Sequence, residues 1–217
     1  MPRTAGHKAG MERIRDIVNA CVDQGVKYLT LYAFSTENWK RPGEEVNYLM
    51  DLFINSIRKE VRELHERNVR VCFIGLRDEL SPELAQLMDE SERLTEANTM
   101  LTINFAINYG GRSEIIAAIN RLRASSNEGK MAPEPITEES FASYLFTSGQ
   151  PDPDLLIRPG GERRISNFLI WQLAYSEIYF SDTFWPDFDK KEFLEALAFY
   201  GSRERRFGGL KGGLSKQ

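Results

Sequence analysis

Residues 69–107 read VRVCFIGLRDELSPELAQLMDESERLTEANTMLTINFAI, and this stretch decides the fold. Its two ends, 69–75 and 100–107, are short apolar runs rich in β-branched and aromatic residues, the composition of strands. Between them, Ser81 followed by Pro82 is a helix start, with a capping hydroxyl and a proline at the first helical position. The helix is predicted to run to about residue 97. Strands that are apolar on both faces and alternate with helices belong to a mostly parallel sheet covered by helices.

The alternation continues outward. Residues 8–24 read as a helix because Met11, Ile14, Val18, Cys21 and Val22 recur at three- and four-residue steps, and Gly25 follows as a stop. Residues 26–34 (VKYLTLYAF) read as a strand and 35–43 (STENWKRPG) as a polar loop. A long helix over 44–68 carries one apolar stripe, Val46, Leu49, Met50, Phe53, Ile57, Val61 and Leu64. Beyond Gly110-Gly111 a helix runs through 123, and 125–135 is linker-like. Then come a short helix over 137–146, strands over 154–157 and 176–180, and a last helix over 190–205. The expected fold is α/β, with a central mostly parallel sheet flanked by helices. The expected organisation is one domain over 1–217, with 208–217 a flexible tail.

Composition narrows the function. With 217 residues, 41% hydrophobic and 28% charged, the chain is ordinary globular material. Its net charge of −4 lacks the basic excess of a duplex-binding protein, so no nucleic-acid partner is expected. The two cysteines, Cys21 and Cys72, sit in apolar runs without a CxxC spacing, so a reducing cytoplasm is the simplest compartment. No stretch approaches the ~20 apolar residues of a membrane span. HExxH, GxxxxGK[ST], GxSxG and DDxxD are all absent.

In parallel α/β sheets, ligands bind at the carboxyl ends of the strands, so the residues after each strand matter most. They are Ser35-Thr36-Glu37-Asn38-Trp39-Lys40-Arg41-Pro42, Asn108-Tyr109-Gly110-Gly111-Arg112, and Arg158-Pro159-Gly160-Gly161-Glu162-Arg163-Arg164-Ile165-Ser166-Asn167. Arginines grip phosphate oxygens bidentately, and glycines let backbone N–H groups approach an anion. The rim therefore reads as a diphosphate or other oxyanion site. The bland readings stand beside it: Gly110-Gly111 alone is usually a turn, and exposed arginines are usually solvated. Glu177, inside the apolar run AYSEIYF, either pairs with an arginine or binds a metal, and burial rules favour the ion pair. His7 reads either as an acid–base group or as a polar surface group.

The segments LTLYAFSTENWKRP, NYGGR, IRPGGERRISNFLIWQLAYSEIYF, WPDF and RERRFGG resemble the cis-prenyltransferase family, and the resemblance spans Arg3 to Gly209. It implies a homodimer that condenses isopentenyl diphosphate repeatedly onto farnesyl diphosphate with Mg²⁺, making a long-chain polyprenyl lipid-carrier precursor. The site roles that follow are implied by the resemblance. Arg158, Arg164 and Ser166 hold isopentenyl diphosphate. Arg3 and His7 lie at the allylic diphosphate, and Ser35 and Asn38 support the condensation. Trp39 and Arg41 form a mobile lid, Glu177 helps position Mg²⁺, and RRFGG reaches toward the partner subunit's site. Leu49, Leu52, Phe53, Met11 and Ile14 resemble the wall of a hydrocarbon channel, and a lipid product implies peripheral contact with the inner face of the plasma membrane.

One departure stands out. The family begins with a strand ending in a DGNGRWA-type phosphate loop whose aspartate binds Mg²⁺; this sequence opens with MPRTAGH. The resemblance thus implies a first strand and loop upstream of Met1, and little or no prenyl transfer by the chain as written. In-frame upstream DNA encoding that strand is the check. The competing expectation is a non-catalytic partner subunit of the same family, against which the full set of rim residues weighs.

Overall fold

The computed structural model describes residues 3–127 and 135–203, without the side chains of residues 3–5, 7, 8, 126 and 127. Its most buried strand is β3 (Leu101–Tyr109), with β1 (Tyr28–Ser35) on one side and β2 (Val69–Ile74) on the other, both parallel to it. A second parallel pair, β4 (Leu155–Arg158) and β5 (Glu177–Phe180), forms its own sheet. The helices are α1 (Arg3–Asp23), α2 (Gly43–Glu66), α3 (Pro82–Thr95), α4 (Gly111–Asn127), α5 (Glu138–Ala142) and α6 (Lys190–Gly201). The α/β class and the parallel strands are as expected, but the strands divide between two sheets rather than sharing one. The two sheets are linked by packing: Leu156 of β4 joins the apolar cluster of Ala106 and Phe168, and Ile157 packs against the cluster of Phe34 and Ile103 on the other face.

Local chemistry sets the element ends. Ser81 Oγ accepts the Leu84 N–H at 3.3 Å, so α3 is capped as the sequence predicts. Gly25 takes φ 71° after α1, and Asn68 takes φ 59° after α2, the left-handed residue that commonly follows a helix end. Several boundaries differ from expectation: α4 runs on to Asn127, α5 covers only Glu138–Ala142, and α6 ends at Gly201. α1 starts at Arg3, through residues too polar to show an apolar period. The loop after β1 contains a 3-10 turn, Thr36–Lys40. The expected tail over 208–217, RRFGG and part of the 125–135 linker lie outside the described residues.

β2 is an edge strand, and its outer N–H groups are not left open. Thr95 Oγ1 accepts from Val71 N at 3.0 Å and Glu92 Oε1 accepts from Phe73 N at 2.8 Å, both from α3. Side chains thus occupy the groups that would otherwise recruit another strand. On β3, the buried Asn104 exchanges amide hydrogen bonds with Gln150 at 2.7 and 3.1 Å and donates to Thr30 Oγ1 at 3.1 Å, which makes a polar residue tolerable inside an apolar strand.

Candidate active site

The ends of β1, β3 and β4 bring three loops together. After β1, the Ser35 N–H donates to Asn38 Oδ1 at 2.9 Å, which closes the turn and orients the Asn38 amide. Trp39 Nε1 donates to Asn108 Oδ1 at 2.7 Å, and its ring meets Phe34 edge-on at a centroid distance of 5.2 Å. Arg41 pairs with Glu45 at 2.9 Å. Trp39 and Arg41, expected to form a mobile lid, contact the end of β3 and the first turn of α2 respectively.

After β3, Gly110 and Gly111 do more than turn the chain. A Cβ on Gly110 would lie 2.7 Å from both Thr36 Oγ1 and Asn167 Nδ2, and one on Gly111 would lie 2.8 Å from Ile170 Cγ1. Only glycine lets the β1 and β4 loops press against β3 at this point.

At the last residue of β4, Arg158 has its Nε buried without a hydrogen-bond partner among the described residues. A buried guanidinium nitrogen left unpaired is costly and fits a ligand oxygen. Nearby, the Tyr32 hydroxyl donates to Tyr109 O at 3.2 Å and Ser166 O at 3.4 Å. Burial pushes that phenol up to about 12, against the pull of the Arg158 charge. Arg164 pairs with Glu162 and is mostly exposed. Ser166 and Asn167 both adopt left-handed backbone, with φ 51° and 63°.

One sequence expectation is corrected. Gly160 N and Gly161 N donate to Thr183 O and Ser181 O, both at 2.9 Å, and Gly111 N donates to Asn167 O at 2.7 Å. These three N–H groups build the loops and are not offered to an anion, which leaves the side chains of Arg158 and Arg164 as charged donors at the rim. Arg3 and His7 fall at the start of α1, but their side chains lie outside the described residues.

Glu177 stands at the first residue of β5, opposite Leu155, whereas Arg158 is opposite Phe180. Three residues of strand separate the two, about 10 Å. Glu177 Oε2 instead accepts from Arg203 Nε at 3.2 Å, the ion pair that burial rules favour. Among the described residues no group of three or more His, Cys, Asp or Glu side chains could hold a metal. Mg²⁺ demands several oxygen ligands and often takes them from substrate phosphates. Among the described residues the carboxylates do not by themselves form a Mg²⁺ site.

A cavity of ≈ 530 Å³ lies between α1, α2 and the sheet. Met11, Ile14, Leu52 and Phe53 line it, as expected, together with Phe105 and Ile107. Leu49 does not; it is buried in the main core. Ala33, two residues before Ser35, carries the wall toward the rim. Arg15, paired with Glu60 at 2.6 Å and Glu63 at 3.1 Å, links α1 to α2 along the same cavity.

Sequence reasoning assigned no partners to the polar residues that hold the rim. Glu114 is buried, accepts from Tyr109 Oη, from Phe146 N at 2.8 Å and from Gln172 Nε2 at 3.2 Å, and so joins α4 to β3 and to the 3-10 turn before β5. Asn108 donates to Leu76 O and Glu79 Oε2. The available signal was an asparagine or a carboxylate inside an otherwise apolar segment, a residue that is rarely buried without partners.

The fold and the site define an α/β protein whose strand-end loops converge, with an arginine, beside an apolar cavity. A family profile described as "Putative undecaprenyl diphosphate synthase" matches residues 1–208. An isoprenyl transferase of Chromobacterium violaceum is 51% identical over 208 residues, 96% of this chain and 80% of that protein. A ditrans,polycis-undecaprenyl-diphosphate synthase ((2E,6E)-farnesyl-diphosphate specific) of Legionella pneumophila (strain Paris) is 48% identical over 208 residues, 96% of this chain and 87% of that protein. Among solved structures, lavandulyl diphosphate synthase from Lavandula x intermedia in complex with dimethylallyl diphosphate superposes with a TM-score of 0.90 at 35% identity, over 94% of this chain and 89% of that one. A probable undecaprenyl diphosphate synthase from Campylobacter jejuni gives 0.82 at 33%, over 93% and 92%. The chain belongs to the undecaprenyl diphosphate synthase family of cis-prenyltransferases and is a transferase.

Proposed function

We propose that the site this chain builds serves the family reaction, cis-prenyl transfer, in which isopentenyl diphosphate is condensed repeatedly onto farnesyl diphosphate to give a long-chain polyprenyl diphosphate. The observation that carries this reading is Arg158, whose buried Nε lacks a partner among the described residues at the carboxyl end of β4, in a chain that matches the family over residues 1–208. The farnesyl-diphosphate specificity in the name of the Legionella relative supports farnesyl diphosphate as the starter.

In this reading Arg158, Arg164 and Ser166 hold the diphosphate of isopentenyl diphosphate. Guanidinium donors suit it because they match its oxygens in pairs. Arg3 and His7 serve the allylic diphosphate. Breaking the allylic carbon–oxygen bond places negative charge on the departing diphosphate, which fixed cations stabilise as it develops. The π electrons of isopentenyl diphosphate form the new carbon–carbon bond, and a proton leaves the adjacent carbon. Ser35 and Asn38 sit at the β1 rim to support that step, and Trp39 and Arg41 cover it. Glu177 is the carboxylate that the family resemblance assigns to Mg²⁺, whose charge would offset that of the diphosphates. The growing hydrocarbon extends into the apolar cavity between α1 and α2, and its release implies transient contact with lipid. No helix among the described residues is long and apolar enough to cross a membrane.

Titration calorimetry tests the reading. The parent chain binds isopentenyl diphosphate, and Arg158→Ala weakens it by about tenfold or more, the loss of at least one charge-assisted hydrogen bond. Arg158→Lys does not restore it, because a lysine cannot offer the paired donors. Equal affinity in parent and Arg158→Ala removes the proposed site.

A homodimer is proposed through β5. Ile178 and Phe180 face solvent on this edge strand, flanked by Tyr175 at 80% and Phe184 at 68% exposure. Several exposed apolar side chains on and beside an edge strand suit an interaction surface.

A further inference from the structure

We infer that Asn167 is the positioning residue that locks the three strand-end loops into one diphosphate-binding rim; this rests on the function proposed above. Its Nδ2 donates to Glu37 Oε1 at 2.8 Å, on the turn after β1. Its Oδ1 accepts from Arg112 N at 2.9 Å, at the start of α4 after β3. Its own carbonyl accepts from Gly111 N at 2.7 Å. Asn167 itself belongs to the loop after β4, next to Ser166. One side chain therefore touches the loop of Ser35 and Asn38, the loop of Gly110-Gly111, and carries the backbone of Ser166 with it.

The residue type follows from this geometry. The position needs one donor toward a carboxylate and one acceptor toward a backbone N–H, and an amide supplies both in a single orientation. It also needs a left-handed backbone, φ 63°, which asparagine tolerates better than most side chains. The fit is tight: a Cβ on Gly110 would meet Asn167 Nδ2 at 2.7 Å. The electrostatics agree, because Glu37 stays ionised: burial raises its carboxyl, but the Asn167 bond, its own backbone N–H and the Ser35 and Thr36 hydroxyls outweigh that and hold it below the usual range. A carboxylate 2.8 Å from Asn167 Nδ2 makes the link charge-assisted and directional.

The test compares Asn167→Gly, Asn167→Asp, Glu37→Gln and the double variant Glu37→Gln with Asn167→Asp, each titrated with isopentenyl diphosphate in magnesium buffer by calorimetry. Glycine keeps the left-handed backbone and loses both side-chain bonds without adding charge. Aspartate keeps the acceptor for Arg112 N but sets a carboxylate against Glu37. In the double variant the new amide at position 37 supplies the missing donor, so the link is rebuilt with its polarity reversed. The expectation is that Asn167→Gly and Asn167→Asp each weaken binding by about tenfold, the worth of a charge-assisted link. Glu37→Gln, whose amide oxygen still accepts from Asn167 Nδ2 without the charge, weakens binding less than either, and the double variant recovers most of the loss. If Asn167→Gly binds as the parent does, or the double variant recovers nothing, the role is overturned while the function stands. If the parent itself binds no isopentenyl diphosphate, the function falls and the role with it.

Discussion

Gly111 shows how much one missing methyl group decides. A Cβ there would sit 2.8 Å from Ile170 Cγ1 and 3.0 Å from Ile170 N. The second neighbour is backbone and cannot rotate away, so the loop after β4 would have to move. Gly111→Ala is expected to cost about 1–3 kcal/mol, the usual range for overpacking. Thermal melting reads this as a lower midpoint, by roughly 2–4 °C per kcal/mol for a chain of this size. Diphosphate affinity should fall in parallel, because the displaced loop carries Arg164 and Ser166. A glycine pair after a strand reads in sequence as a turn; its second purpose, close approach of two remote loops, depends on contacts from residues 36, 167 and 170 that no local pattern announces.

At the scale of elements, β2 illustrates a strand whose edge is closed by side chains. Thr95 has 0% exposure, accepts from Val71 N at 3.0 Å and donates to Ser91 O at 2.9 Å. Thr95→Val keeps the shape and removes both bonds, leaving a buried N–H unsatisfied. The expected loss is about 1–3 kcal/mol, measurable by urea denaturation. A variant as stable as the parent would show that the edge cap contributes nothing. The β5 edge is the contrasting case, with Ile178 and Phe180 exposed. Phe180→Lys places a charge on that edge and is expected to convert a dimer to a monomer in light scattering. The helix caps and stripes were legible because they depend on neighbours within one turn. The protection of β2 was not, since Thr95 and Val71 lie on different elements.

At the scale of the whole molecule, burial gives stability a dependence on alkaline pH. Burial pushes the Cys21 thiol from 9.0 up to about 12. Cys72 is also raised, chiefly by burial, and Tyr32 rises to about 12. The unfolded chain would release these protons at their ordinary values while the folded chain retains them, so proton release favours unfolding. Stability is therefore full below about pH 9 and declines as pH rises toward about 12. Denaturation midpoints across that window should fall, and Cys21→Ala should lessen the slope even though it lowers stability at neutral pH. A slope unchanged by the substitution would remove Cys21 as a source.

The sequence by itself determined the α/β class, the parallel strands, the strand ends as the rim and the family to which the chain belongs. Those features rest on local periodicity, capping and turn chemistry, and on long motifs such as RPGGERRISNFLIWQ. Only the tertiary structure decided that the strands form two sheets, that the glycine N–H groups are already engaged, that Glu177 meets Arg203, and that Asn167 gathers the loops. The physical reason is the same in each case. A hydrogen-bonding group can be assigned a partner only when residues far apart in the chain are brought within about 3 Å of each other, and folding alone does that.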